Sequence, residues 1–96
     1  MVTWSKPAEL DLKQIFQYIA MDSRSYAKKV VENIVEKSMS LDSSPRRGRV
    51  VPEINDPNIR EIFIYSYRLM YQITGDNIYI LGVIHGKRDF TPGDIQ

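Results

Sequence analysis

The spacing of apolar residues changes once along this chain, from the period of a helix to the period of a strand, and this change limits the folds available to it. In the first part, apolar residues recur at three- and four-residue intervals, the pattern of an amphipathic helix. The first stripe consists of Leu12, Ile15, Phe16 and Ile19. It predicts a helix over about residues 7–21, with Pro7 in the first turn.

A second stripe follows the break "MDSRS", which offers Asp22, Ser23 and Ser25 as helix N-caps. The members of this stripe are Ala27, Val30, Val31, Ile34, Val35, Ser38 and Leu41. We expect a helix over about residues 25–41, and the short break makes the two helices an antiparallel hairpin over about residues 7–41. A short initial strand is expected over residues 1–5, where apolar residues alternate.

The second part of the chain has the composition of β-strands. The segments "RVVPE", "IREIFIY", "YRLMYQI" and "IYILGVIH" are rich in β-branched and aromatic residues. "TGDN" is expected to close a tight hairpin, and "IYILGVIH", apolar throughout, is expected in the interior of the sheet. Alternation in "YRLMYQI" places one set of side chains on one face and a second set on the other: Tyr67, Leu69, Tyr71 and Ile73, then Arg68, Met70 and Gln72.

The order of elements, β-α-α-β-β-β, predicts an α+β fold in which the helical hairpin packs on one face of a small, mainly antiparallel sheet. The length indicates a single domain over residues 1–96, with the sheet at about residues 48–86 and a flexible tail over residues 91–96. Because the helices cover one face only, we expect the other face to be open and polar, and a concave basic surface there would be a natural binding site.

The composition excludes several kinds of site. With no cysteine and one histidine, the chain lacks the ligands of disulfides, thiol catalysis and the usual zinc sites. A serine triad and a phosphate-binding loop are excluded by the absence of their motifs. We therefore expect no metal and no cofactor. The longest apolar run, residues 78–84, is too short to cross a membrane, so we expect a soluble, cytoplasmic protein.

Arginine is concentrated in the second part of the chain. Residues 45–89 carry seven basic and five acidic side chains, and six of the seven are arginine, whose planar fork suits phosphates and carboxylates. The predicted binding residues for such an anion are Arg46, Arg47, Arg49, Arg60 and Lys87. The alternative interpretation is a solvated surface of ordinary charge.

RNA can be cleaved by attack of its own 2′-hydroxyl on the neighbouring phosphate, a reaction that needs a base, an acid and a positive charge beside the phosphate. Four residues have side chains of the types that can fill these roles. These candidate catalytic residues are Glu53, Arg68, His85 and Arg88. Each of the first three also has a structural explanation. Glu53 can be a carboxylate at a strand end, and His85 can lie at the solvated end of a strand. Arg68 can form a cross-strand ion pair with Glu61.

Several short motifs occur in a familiar order: "AELDLKQIFQYI", "P..GR.VPE", "IRE", "YRLMY" and "ILGVIHGKRD". In this order and spacing the chain resembles the RelE/ParE superfamily of toxins from type II toxin–antitoxin and plasmid stabilisation modules, over about residues 2–89. The resemblance implies the two-layer fold described above. It also implies a cognate antitoxin whose C-terminal segment wraps the toxin and whose N-terminal domain binds operator DNA.

The resemblance implies two alternative targets. ParE-like members inhibit DNA gyrase, whereas RelE-like and YoeB-like members are ribonucleases that cut messenger RNA on the ribosome. Arg68 in "YRLMY" and Arg88 in "GKR" correspond to phosphate-binding arginines of these ribonucleases. Glu53 in "VPE" is similar to the carboxylate base of the YoeB-like branch.

Other positions depart from the ribonuclease pattern. The ribonucleases usually carry a C-terminal tyrosine, whereas this chain ends in "DFTPGDIQ", which leaves His85 as the candidate acid. The strand before "YRLMY" has one basic residue, Arg60, and the ending "VIHGKRD" is more similar to the ParE-like branch. We therefore expect ParE-like inhibition of gyrase. The alternatives are a metal-independent, ribosome-dependent endoribonuclease and an inert homologue that binds only its antitoxin.

Overall fold

A computed structural model describes residues 1–86. Five strands form one mixed sheet, and two helices pack against one of its faces. The elements are β1 (Val2–Trp4), α1 (Lys6–Ala20), α2 (Arg24–Met39), β2 (Arg49–Val50), β3 (Ile59–Ile64), β4 (Tyr67–Thr74) and β5 (Asn77–His85), with a single 3₁₀ turn over Ser40–Asp42. Within this part of the chain, neither helix has the length and apolar character needed to span a bilayer.

Both helices begin at serine N-caps. The Ser5 hydroxyl accepts a hydrogen bond from the Ala8 amide, and the Ser23 hydroxyl accepts one from the Tyr26 amide, which satisfies a donor that the first turn leaves open. The helical hairpin predicted from the apolar stripes is thus confirmed, and α2 begins one residue and ends two residues earlier than expected. It ends at Met39 because the chain tightens there into the 3₁₀ turn.

The strands lie in the order β1-β5-β4-β3-β2. β1 runs parallel to β5, and the other three pairings are antiparallel. β5 has a strand on each side, as its apolar sequence predicted. The pairing of β4 with β5 shifts between Met70, opposite Gly82, and Tyr71, opposite Ile80, so Leu81 is an extra residue that forms a bulge.

The main core lies between the helices and the sheet. Its largest fully buried side chains include Tyr71 and Leu69 of β4, Ile80 of β5 and Ile34 of α2. These β4 residues belong to the set that alternation placed on one face, so this prediction is confirmed.

The opposite face of the sheet differs from the expectation of an open, polar surface, which is wrong for its central part. A second apolar cluster forms there around Val51 and Met70, with Ile54, Ile59 and Ile84 packed against it. The cause is the connection between β2 and β3, which places Val51 and Ile54 over the sheet. The expected tail at residues 91–96, and also Lys87 and Arg88, lie outside the described residues.

Candidate functional site

Arg68 lies on the face of the sheet that carries the second apolar cluster, and carboxylates hold its guanidinium on two sides. Its Nη1 and Nη2 each donate to one oxygen of Glu53, at 2.9 Å for both bonds. Its Nε donates to Oε1 of Glu61 at 2.7 Å. The predicted ion pair between Arg68 and Glu61 is therefore present. The bidentate contact with Glu53 has the geometry that an arginine fork would use for a phosphate.

The ion pairs continue from Glu61 to Arg49. The second oxygen of Glu61 accepts a hydrogen bond of 2.6 Å from Nε of Arg49, whose guanidinium also lies 5.2 Å from the ring centre of Phe63. Glu61 and Arg68 are only 1% and 4% exposed. Among residues 1–86, two arginines and two glutamates thus alternate in one network in which their formal charges cancel, which is the arrangement that makes a buried charge tolerable.

The same network fixes the protonation of Arg68. Hydrogen bonding to Glu53 is the largest cause that raises the pKa of Arg68 above its usual value, with Glu61 adding to it and burial opposing it. The guanidinium therefore stays charged at every accessible pH, and Arg68 can act as a charge or a hydrogen-bond donor but not as an acid or a base.

His85 lies on the other face of the sheet. Its ring meets that of Tyr67 edge to face, with centroids 6.0 Å apart, and Tyr67 packs against the main core under the helices. Ile84, the neighbour of His85, points to the second cluster with Arg68. The structure therefore brings Glu53 and Arg68 together and places His85 across the sheet from them. Arg88 lies outside the described residues, and the catalytic roles of all four residues remain predictions.

A groove with tyrosine walls surrounds His85. Its volume is about 670 Å³, and it lies between the two helices and the ends of β4 and β5. Tyr18 and Tyr26 line it together with Tyr67, whose hydroxyl has a raised pKa, first because it is buried and then because the two other tyrosines are near. Sequence patterns did not single out these residues. Tyr18 and Tyr26 occupy exposed positions of separate helices, and periodicity cannot show that such positions meet.

The predicted anion-binding arginines cluster around the connection between α2 and β2. Residues 44–49, which we call the arginine loop, carry Arg46, Arg47 and Arg49, and Arg60 of β3 donates to the Gly48 carbonyl at 2.9 Å. The charges of three of them, Arg46, Arg47 and Arg60, act on the buried hydroxyl of Tyr71. The structure thus brings these three side chains to one surface, whereas Arg49 belongs to the ion-pair network. Lys87 lies outside the described residues.

Among residues 1–86 there is no group of three or more histidine, cysteine, aspartate or glutamate side chains that could hold a metal ion. The side chains of the described site are arginines, carboxylates, tyrosine hydroxyls and the His85 imidazole, which offer charge, hydrogen bonding and aromatic contact.

Comparisons with known proteins agree with this fold. Three solved structures share it across 88% of this chain. The chromosomal ParDE system from P. aeruginosa is 24% identical, with 92% of that chain covered and a TM-score of 0.72. The RelBE2 complex from Mycobacterium tuberculosis is 22% identical, with 95% covered and a TM-score of 0.64. The YoeB-YefM complex from Staphylococcus aureus is 20% identical, with 94% covered and a TM-score of 0.61.

No curated protein sequence matches the chain significantly. A family model does match it, over residues 2–90, and that family is described as the ParE toxin of the type II toxin–antitoxin system parDE. The match covers all the described strands and both helices. The two-layer structure has the fold of the RelE/ParE superfamily. The chain therefore belongs to the ParE toxin family within that superfamily.

Proposed function

We propose that this ParE-family toxin inhibits DNA gyrase and that a cognate antitoxin holds it inactive. The single observation that carries the choice of target is the burial of Arg68 between Glu53 and Glu61, at 4% exposure. A ribonuclease would need this arginine for the phosphate. The antitoxin follows from the family and from solved relatives, which are toxin–antitoxin systems and complexes.

The burial of Arg68 disfavours phosphate chemistry for an electrostatic reason. A donor stabilises a transition state when it is already aimed at the position where charge develops. Here the two terminal nitrogens of Arg68 are directed at the Glu53 carboxylate, at 2.9 Å each. A phosphate would have to displace this carboxylate from Arg68. The hydrogen bonds from Arg68 to the phosphate would then replace similar charge-assisted hydrogen bonds to Glu53, so the net gain in free energy would be small.

The position of His85 supports the same choice. A general acid must come within about 3 Å of the oxygen that it protonates, directly or through one water molecule. His85 lies on the helical face of the sheet beside Tyr67, and Arg68 lies on the opposite face. One scissile phosphate cannot contact both side chains while the sheet stays intact.

One observation favours the ribosome-dependent endoribonuclease as a second candidate. Glu53 and Arg68, which the sequence proposed as base and phosphate ligand, are in direct contact. Glu53 lies on the turn between β2 and β3, and its side chain is 28% exposed. Movement of this turn would free one side of the arginine fork and place a carboxylate beside it.

The experiment that separates the two targets measures both activities of the same protein. Purified toxin is added to gyrase in a DNA supercoiling assay, and induced cells are followed with an SOS reporter and by primer extension of transcripts. We expect loss of supercoiling and SOS induction with intact transcripts. The variant Glu53→Gln, checked for folding by circular dichroism, should keep this activity, as should the exposed control Glu32→Gln.

Two outcomes would contradict the proposal. Cuts within codons that disappear in Glu53→Gln but not in Glu32→Gln would establish the ribonuclease. Normal growth with full gyrase activity would indicate that the protein is an inert homologue that only binds its antitoxin. Retention of the antitoxin on the immobilised toxin provides the check that the protein used in each assay is folded.

A further inference from the structure

A buried hydroxyl of β4 attaches the arginine loop to the sheet at two points. Tyr71, which is 0% exposed, donates to the Pro45 carbonyl at 2.6 Å and accepts a hydrogen bond of 3.0 Å from the Gly48 amide. Both ends of the turn that carries Arg46 and Arg47 are therefore held by one side chain of β4. These two hydrogen bonds hold the loop more firmly than an exposed loop whose polar groups bond to water, because breaking a buried hydrogen bond leaves a polar group without a partner.

The loop backbone also packs closely against the sheet at Gly48, where there is no room for a side chain. A Cβ atom on Gly48 would lie 2.6 Å from both the Glu61 carbonyl oxygen and the Tyr71 hydroxyl. The Gly48 carbonyl accepts from Nη1 of Arg60 at 2.9 Å, and Nη2 of Arg47 donates to the Ser40 hydroxyl at 2.7 Å. Neighbouring elements thus fix the direction of two arginines as well as the path of the loop.

In the part of the chain that the structure describes, no carboxylate neutralises the charges on this surface. Within residues 1–86, Arg46, Arg47 and Arg60 form no ion pair with a carboxylate, in contrast to Arg49, whose guanidinium is bound to Glu61. Arg46 and Arg47 are exposed. Like charges held close together repel one another, and an anion that contacts several of them relieves the repulsion.

We propose that the arginine loop, together with Arg60 and fixed in place by Tyr71, is a preorganised binding surface for the sugar-phosphate backbone of a nucleic acid. Planar guanidinium forks suit phosphate oxygens, and arginines that are already oriented lose less entropy on binding than arginines on a mobile loop. This inference does not depend on the target proposed above, because gyrase acts on DNA and the ribosome contains RNA, so that either target presents phosphates.

The test measures nucleic-acid binding by the purified full-length toxin alone, without gyrase or ribosomes. Its failure would therefore leave the proposed target untouched. Fluorescence anisotropy is recorded with a labelled 20-base-pair DNA duplex and a labelled 20-nucleotide RNA strand, at several salt concentrations. We expect binding of at least one probe that weakens as salt rises, since released counterions drive phosphate contacts. The probe that binds tighter identifies the source of the phosphates.

Two kinds of variant separate an organised surface from simple net charge. Arg46→Ala and Arg47→Ala should each weaken binding about threefold to tenfold and lower the salt slope by about 1, whereas Lys29→Ala, which removes the same charge from the exposed side of α2, should not. Tyr71→Phe keeps every charge, yet it releases the loop and should weaken binding about threefold or more. Tyr18→Phe, in an exposed tyrosine, is its control.

The proposal is overturned if neither probe binds below about 100 μM at low salt, or if Lys29→Ala weakens binding as much as the loop variants do. Wild-type affinity in a folded Tyr71→Phe protein would overturn the role of Tyr71. If that variant does not fold, the two loop arginines still decide the matter, because both side chains are exposed and can be removed without opening the core.

Discussion

Arg68 and Glu61 form an ion pair inside the protein, with Nη2 of the arginine 2.6 Å from Oε1 of the glutamate and almost no solvent contact for either side chain. Buried pairs of this kind contribute little net stability when intact, because desolvation offsets much of their attraction. Breaking one is costly, since a charge is then left in a medium of low dielectric. The pair is therefore a sensitive point of the fold, whatever the toxin binds.

The first prediction concerns the free energy of unfolding of Glu61→Gln. This variant keeps the shape of the side chain and removes its charge, so that buried Arg68 keeps its contact with Glu53 but loses the Glu61 carboxylate, and exposed Arg49 loses the same carboxylate. We expect a loss of about 3 kcal/mol, the lower end for a broken buried pair, because one carboxylate remains. Urea denaturation at pH 7 measures it. Glu32→Gln, in an exposed pair with Lys28, should change the free energy far less, and equal effects in the two variants would refute the prediction.

A second prediction contrasts two glycines. Gly48→Ala places a Cβ 2.6 Å from two atoms of the sheet and should cost about 2–3 kcal/mol through overpacking. Gly75→Ala, in the hairpin between β4 and β5, meets no atom within 4 Å but has a φ of +59°, which should cost about 1 kcal/mol. Thermal or urea unfolding of both proteins measures whether Gly48→Ala lowers the free energy of unfolding more than Gly75→Ala does.

The double variant Gly48→Ala/Tyr71→Phe shows where the Gly48 effect originates. Removing the Tyr71 hydroxyl takes away one of the two close contacts of the new Cβ. The two substitutions should therefore destabilise the protein by less than the sum of their separate effects. Strict additivity would mean that the contacts remaining in Tyr71→Phe, with the Glu61 carbonyl at 2.6 Å and the ring carbon Cε1 of residue 71 at 3.0 Å, cause the loss.

The sequence predicted the elements of this fold better than the relations between them. The two helices follow from residues such as Ile15 and Ile34, whose spacing is a local property, and the Ser23 cap was among the candidates named in advance. Glu53 and Arg68 were both proposed as site residues, but their direct contact depends on the turn between β2 and β3 folding back over the sheet. No local pattern in the sequence specifies such a return.

The face on which His85 lies shows a second limit. Strict alternation from Ile78 and Ile80 would place residue 85 opposite the helices, whereas the bulge at Leu81 turns Val83 and His85 to the helical side. β5 is apolar on both faces, so its sequence contains no alternation in which a one-residue shift could be seen. The bulge alone therefore separates His85 from Arg68.

A third prediction concerns alkaline pH. Burial raises the pKa of the Tyr71 hydroxyl above its usual value of about 10, while the Gly48 amide and nearby arginines act in the opposite direction. Because the folded-state pKa is the higher one, the stability linked to this group is fully present below about pH 10 and is lost as the pH rises through the folded value.

Comparison with Tyr71→Phe isolates that effect. At pH 7 the variant should be about 1–2 kcal/mol less stable, because the Gly48 amide and the Pro45 carbonyl lose their partner. Above pH 10 the difference between the two proteins should shrink, since only the wild type has a hydroxyl to ionise at this place. Free energies of unfolding from pH 7 to pH 11.5 measure it. A difference that stays constant over this range would mean that the Tyr71 hydroxyl has the same pKa in the folded and the unfolded protein, which would contradict the raised pKa.

A fourth prediction concerns the join between α1 and β5. Oδ2 of Asp11 accepts a hydrogen bond of 3.0 Å from the Val83 amide, two residues after the bulge, and Val83 is 3% exposed. β1 ends at Trp4, opposite Ile80, and offers no backbone partner to this later part of β5, so a side chain from the helix satisfies the Val83 amide. Asp11→Ala should destabilise the protein by about 1–3 kcal/mol, the cost of a buried amide without a partner.

Amide hydrogen exchange distinguishes this local role from a general loss of stability. In Asp11→Ala the Val83 amide should exchange at least about tenfold faster relative to the Ile62 amide of β3, which lies in the same core but does not contact α1 through this bond. Gln14→Ala, which changes another polar residue lining the same groove, is the control and should leave the ratio unchanged. If both amides accelerate equally in Asp11→Ala, the carboxylate stabilises the whole core rather than this end of β5, and the proposed local attachment of β5 to α1 is wrong.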